Sequence, residues 1–304
     1  MSENFSPIRW AIDISQILNA IPDYQRFPVD VASVAKEISR LKFPDDPITL
    51  VKGRSLPGFE GGMKKAPPGK IGWGIFYNTA IKSKGRINFT LGHEFGHYLL
   101  HRIDYPNGFM CSTEDMASWD SEYGRLESQA NEFAANLLMP LDDFRVQVAD
   151  RVAPKLDVIG DCADRYEVSL IAAILRWLSY TRRRSVLVVS TEGYVLWSRS
   201  SEAALRSRLY FKVNGRPPIP LPSRALAAQR QRIIGHKHDT EHDSDVWFNL
   251  PCSEEVLFSE QYDFTISLLH FEDANSPVWQ QDADSEEDTF ERFQRRTPGQ
   301  GWLS

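Results

Sequence analysis

Apolar positions recur at helical spacing at Trp10, Ile14, Ile17 and Leu18, and again at Val31, Val34, Ala35, Ile38 and Leu41. The stretch from about Ile8 to Leu41 therefore predicts a helical lead-in, with Phe27-Pro28-Val29-Asp30 starting its second helix and Asp30 as the cap. From Ile48 to Asn78 the runs shorten and are broken by Gly and Pro, the pattern of small antiparallel strands. Arg86 to Thr90 alternates and predicts a further strand, running into a buried helix from Leu91 to Arg102. The span from Asp104 to Tyr123 is polar and irregular, with a turn at Pro106-Asn107-Gly108, and could wall one side of a cleft. Ser121 to Leu138 then predicts a second helix, with Ala130, Phe133, Ala134, Leu137 and Leu138 on one face and Pro140 as its stop.

Leu141 to Tyr180 predicts further helices. The texture changes near Arg184, after which Val186–Val189, Tyr194–Ser198, Leu209–Val213, Val246–Leu250, Glu255–Phe258 and Phe264–Phe271 are strand-like. The last stretch, 282–304, is charged and then rich in Arg, Pro and Gly, and predicts a flexible tail.

The chemistry concentrates in Arg86 to Arg102, RINFTLGHEFGHYLLHR. Residues four apart on a helix share a face, so His93 and His97 can share one metal ion. Glu94 lies beside that metal, placed to take a proton from water as general base. The apolar flanks argue for a buried helix, which does not leave two histidines and a glutamate without partners. Glu127 opens the apolar face of the second helix and can supply a third ligand, while Asn131, one turn on, can hydrogen-bond a ligand or its helix from behind. The donor that would stabilise an oxyanion is not assigned: Tyr98 and His101 are nearby in sequence, but His101, about two turns from His93, can instead pack or orient a neighbour.

Composition narrows the setting. The 304 residues are 42% hydrophobic and 25% charged, with a net charge of -6. That is ordinary globular composition for two domains, and it argues against a chain that coats nucleic acid. Arg182, Arg183 and Arg184 form the clearest basic cluster and read as a solvated linker. Cys111, Cys162 and Cys252 are odd in number and widely spaced, which points to a reducing cytoplasm and not to a disulfide framework. Cys111 reads as a buried thiol. The start, MSENFSPIRW, has no basic segment leading an apolar one, and no apolar run reaches the roughly 18 residues of a membrane span. The chain is expected to be soluble and cytoplasmic. His236, His238 and His242, in GHKHDTEHDSD, read as a solvated acidic loop.

FTLGHEFGHYLLH followed by ESQANEFAANLLMP resembles the ImmA/IrrE family of metallo-endopeptidases, over about Ile48 to Arg176. Members carry a similar His-Glu-x-x-His helix and a Glu-x-x-Ala-Asn-x-Phe-Ala-Ala helix ending in Leu-Met-Pro. The resemblance implies His93, His97 and Glu127 as Zn2+ ligands and Glu94 as the base. It also implies a role in transcription regulation and stress response, since family members typically cut a helix-turn-helix repressor and relieve repression. Asp161 to Leu178 resembles the helix-turn-helix-like piece that follows the peptidase core. Its second helix has only Arg176 as a basic residue, so direct DNA binding is not expected. Some members carry a GAF-type sensor domain where this chain turns β-rich.

The expected fold is α+β: a zincin-like helical and small-sheet peptidase domain (1–150), a helical helix-turn-helix-like segment (151–182), a β-rich, GAF-like C-terminal domain (183–281) and the tail (282–304). The expected function is a zinc-dependent endopeptidase acting on a protein substrate. Two alternatives stand beside it: a metal-dependent regulator that binds its partner without cutting, and a helix-turn-helix DNA binder with an inactive peptidase core. The oligomeric state is not legible.

Overall fold

The computed structural model describes residues 6–55, 57–109, 121–211, 217–232, 237–258 and 263–272. Cys111, His236 and the tail 282–304 lie outside them. The fold is α+β, with eight α-helices and two sheets among the described residues. None of those helices is long and apolar enough to cross a membrane. The chain forms two compact units: one from the N-terminal residues through Phe144 with Asp161–Ala173, the other from Arg145–Gly160 with the residues from Ile174 onward.

In the first unit, α1 (Pro7–Asn19) and α2 (Val31–Lys42) begin at side-chain caps. The Ser6 Oγ accepts from the Arg9 N–H at 3.3 Å and the Asp30 carboxylate from the Ser33 N–H at 3.1 Å, satisfying donors that a helix start leaves open. Trp10, Ile14 and Leu18 bury one face of α1, and Val31, Val34, Ala35 and Ile38 one face of α2. The sheet has the order β1-β3-β2-β4, from β1 (Ile48–Arg54), β2 (Gly61–Lys65), β3 (Trp73–Asn78) and β4 (Gly108–Phe109). An all-antiparallel sheet was the expectation, but β1 runs parallel to β3. The reason is insertion: β1 and β2 run in opposite senses, yet β3 sits between them, antiparallel to β2 and so parallel to β1. The few residues from Arg54 to Gly61 easily span the roughly 10 Å across two strand spacings.

The main difference from expectation concerns Arg86 to Thr90, which is helix and not strand. It forms the first turns of α3 (Lys84–His101). The alternation of Ile87 and Phe89 imitates a strand, but Ser83 caps the chain earlier: its Oγ accepts from the Arg86 N–H and its carbonyl from the Ile87 N–H. α4 (Ser121–Leu138) packs along α3, through Ala130, Phe133, Ala134 and Leu138. The rings of Phe95 and Phe133 meet edge to face at 5.4 Å. α5 (Leu141–Gln147) follows, then α6 (Leu156–Tyr166) and α7 (Leu170–Leu178).

The second unit holds an antiparallel sheet of order β6-β5-β9-β8-β7, from β5 (Arg184–Thr191), β6 (Tyr194–Ser200), β7 (Lys237–His242), β8 (Cys252–Phe258) and β9 (Thr265–Phe271), with α8 (Glu202–Arg206) after β6. Its core includes Val186, Val188, Val256, Leu269 and Phe271. Arg184, read as linker, is the first residue of β5. Three expectations change here. Leu209–Phe211 is not strand, and the rest of that predicted strand lies outside the described residues. GHKHDTEHDSD is not a loop throughout, because its centre is the edge strand β7. Val246–Leu250 is a run of bends and not a strand.

Both of the last two changes follow from one buried carboxylate. Glu254, fully buried, accepts from His242 Nε2 at 2.6 Å, Trp247 Nε1 at 3.0 Å, Ser267 Oγ at 3.0 Å, and the N–H groups of Leu226 and Ala227 at 2.8 and 3.2 Å. Burial disfavours its charge, but these donors, led by His242, outweigh burial and hold its pKa below the usual carboxylate range. Drawing Trp247 inward bends the chain away from a strand, and His242 finds its frame in Glu254.

Candidate metal centre

Helices α3 and α4 bring the site together because glycine lets them approach. A Cβ on Gly96 would stand 3.2 Å from the Ala130 Cα and 3.1 Å from the Phe133 ring, closer than helix backbones normally allow a side chain. Glu127 precedes Ala130 by one turn and so faces His93 and His97 across the contact.

The three donors converge. His93 Nε2 and His97 Nε2 are 2.9 Å apart, and Glu127 reaches them with Oε2 and Oε1, each at 3.2 Å. Donor atoms on a tetrahedral zinc with bonds of about 2.1 Å stand about 3.4 Å apart, so the triangle has the size of a metal site, slightly contracted. His97 is fully buried, while the His93 and Glu127 side chains keep 15% and 19% exposure, leaving the cluster reachable from one side.

Hydrogen bonds behind the rings aim the donor atoms. His93 Nδ1 meets Asn131 Oδ1 at 2.9 Å, so Nδ1 carries the hydrogen and Nε2 points into the cluster. Asn131 thus lies where the sequence reading put it, supporting a ligand candidate. His97 Nδ1 meets His101 Nδ1 at 3.0 Å, and His101 Nε2 meets Gln129 Oε1 at 3.0 Å. Gln129 was missed by sequence reasoning; nothing in its neighbourhood marks it apart from another polar helix residue. Tyr98 donates its hydroxyl to the Asp46 carbonyl at 2.8 Å, so neither Tyr98 nor His101 is directed as an oxyanion donor here.

The electrostatics fit a cation. Burial opposes charge on His93, but the Glu127 carboxylate, its hydrogen bond, Glu94 and Asn131 outweigh it and push the pKa up to about 9. Burial, helped by charged His93, pulls His97 down to about 4. Glu127 is held well below the usual range because both histidines overcome its burial. The only proton between the two Nε2 atoms is therefore the one that makes His93 an imidazolium, and a dication serves the same purpose with more charge. This donor set could hold a metal ion.

Glu94 is different in kind. It shares α3 with the histidines but stands outside the donor triangle, buried, with Oε2 lacking a hydrogen-bond partner among the described residues. Burial pushes its carboxyl up to about 8, with Glu127 adding to the rise and His93 opposing it. Strand β2 passes close by: a Cβ on Gly61 would lie 3.1 Å from Glu94 Oε1 and 2.5 Å from the Thr90 methyl. The Arg86–Glu60 ion pair ties the start of β2 to α3.

A comparison with curated proteins finds no match. Residues 49–178, which contain every residue of this centre, match the model of the peptidase family described as the IrrE N-terminal-like domain.

Proposed function

We propose that the protein is a zinc-dependent endopeptidase with His93, His97 and Glu127 as ligands and Glu94 as general base. The observation that carries this reading is the separation of roles within one cluster: three convergent donors, and beside them a fourth group, the buried Glu94 carboxylate, with one oxygen that has no hydrogen-bond partner among the described residues. Bound there, zinc supplies Lewis acidity that polarises a peptide carbonyl and makes a neighbouring water more acidic. Glu94 then takes a proton from water at Oε2 and delivers it to the departing amine nitrogen. Its raised pKa belongs to the metal-free cluster, and added positive charge nearby pulls it back toward the carboxylate form that accepts protons.

Strand β2 is the proposed substrate rest. Its Gly61 and Gly62 pair with β3 on one side, while β4 covers only Met63 and Lys64 on the other among the described residues. An extended peptide added along Gly61–Gly62 would lie beside Glu94, held by backbone hydrogen bonds that tolerate many sequences. The absence of side chains at both positions leaves that approach open.

The family resemblance makes a helix-turn-helix transcriptional repressor the proposed substrate, and a reducing cytoplasm the proposed setting. Cys162 and Cys252, both free and buried, fit that setting: burial pushes their thiols up to about 11 and about 12, which keeps them unreactive. The test is to incubate zinc-loaded protein with candidate repressors encoded nearby. Discrete fragments that vanish on chelation are expected; binding without cleavage of any candidate, together with relief of repression in a reporter strain, would replace this reading with the partner-binding one.

A further inference from the structure

We infer that His101 and Gln129 act as a positioning relay that fixes which nitrogen of His97 carries hydrogen, and so keeps His97 Nε2 available to a metal ion. The inference rests on the metal-site reading above and adds two residues to it. The chain of contacts runs His97 Nδ1 to His101 Nδ1 at 3.0 Å, then His101 Nε2 to Gln129 Oε1 at 3.0 Å. An amide oxygen can only accept, so His101 Nε2 carries hydrogen. In a neutral ring His101 Nδ1 is then an acceptor, and His97 Nδ1 must be the donor. That leaves His97 Nε2 as a lone pair, facing His93 Nε2 and Glu127 Oε1.

The opposite polarity defeats the site. Were the Gln129 amide turned so that its NH2 faced His101, every hydrogen in the chain would reverse, and His97 would carry hydrogen on Nε2, where a metal ion must bind. The polarity is set on α4, the helix that also carries Glu127 and Asn131, so one helix supplies one ligand candidate and both settings of the histidine hydrogens. His93 is set directly by Asn131 at 2.9 Å, His97 through His101. His97 and His101 are both buried, at 0% and 3% exposure, so bulk water is a poor substitute for the relay. Groups that orient a metal-binding histidine in this way are typically worth about ten- to a hundredfold in metal affinity.

The test measures zinc affinity of the full chain by competition with a chelator, beside imidazole nitrogen NMR of the zinc-loaded wild type. His101→Leu is expected to weaken zinc binding about ten- to a hundredfold. His101→Asn, whose Oδ1 stands near the place of Nδ1 and can accept from His97, should recover most of the loss. Gln129→Leu, at a half-buried position, should weaken binding in the same direction and serves where His101→Leu does not fold. NMR should report hydrogen on Nδ1 of His97 and on Nε2 of His101. The relay is overturned by wild-type affinity in both leucine variants, by His101→Asn binding no better than His101→Leu, or by hydrogen on Nδ1 of His101. Wild type that binds no zinc at all would instead remove the metal reading itself.

Discussion

At the scale of single residues the centre divides into three groups whose donor atoms converge, His93, His97 and Glu127, and one that stands outside them, Glu94. His93, Glu94 and His97 were legible because their relation is local: four residues along one helix fix the geometry whatever the rest of the chain does. Glu127 was legible only with help, as the acidic residue opening an apolar helix face and as the match to a family pattern. Gln129 was not, because its role depends on reaching His101 across the α3–α4 contact, and no period in the sequence encodes that. The donor triangle makes a direct prediction. His93→Ala or His97→Ala should abolish stoichiometric zinc on metal analysis, and Glu127→Gln should weaken it by at least about tenfold, since an amide oxygen is a poorer ligand than a carboxylate. Wild-type zinc content in the alanine variants would place the metal elsewhere.

At the scale of elements, α1, α2 and α4 followed from apolar period, with Asp30 as the cap of α2. The start of α3 did not, because a short alternating run carries a strand signal that only the Ser83 cap overrules. Strand direction in the first sheet was also hidden: order along the chain does not reveal that β3 inserts between β1 and β2. The α3–α4 contact is the element-level device that builds the site, and it hinges on Gly96. Gly96→Val should push α4 away from α3, since the obstructing atoms include Ala130 backbone. The expected result is destabilisation of about 1–3 kcal/mol in urea unfolding, with weakened zinc binding although no ligand has changed. Unaltered zinc affinity would show that the site tolerates a wider helix spacing than this account allows.

At the scale of the whole molecule, composition and texture separated a helical N-terminal half from a β-rich remainder. Four strands, β5, β6, β8 and β9, were legible as apolar runs, whereas β7 was not. Edge strands carry polar and charged residues, and the sequence of β7 looks solvated until Glu254 is seen to hold His242. The second unit also contains a half-buried neutral histidine. His270 accepts from the Ser185 hydroxyl at Nδ1 and donates from Nε2 to the Pro154 carbonyl. Burial, aided by Arg183 and opposed by that carbonyl, pulls its pKa from 6.5 to about 4.

The unfolded chain therefore binds a proton between those values that the folded chain refuses, and stability rises with pH through that window. The contribution is complete above about pH 6.5 and lost as pH falls toward about 4, on the order of 3 kcal/mol in all. Urea unfolding at pH 7 and pH 4.5 should show this loss in wild type and a shallower one in His270→Asn. Equal pH dependence in the two proteins would contradict the assignment.

In the proposed function Glu94 moves a proton and does not hold the metal. Glu94→Gln keeps the shape of the side chain but cannot accept a proton at neutral pH, so zinc content and cleavage of a repressor substrate should be measured on the same preparation. Zinc is expected to remain at the wild-type level while cleavage falls by at least about a hundredfold. Cleavage at the wild-type rate, or loss of the metal along with it, would contradict the account.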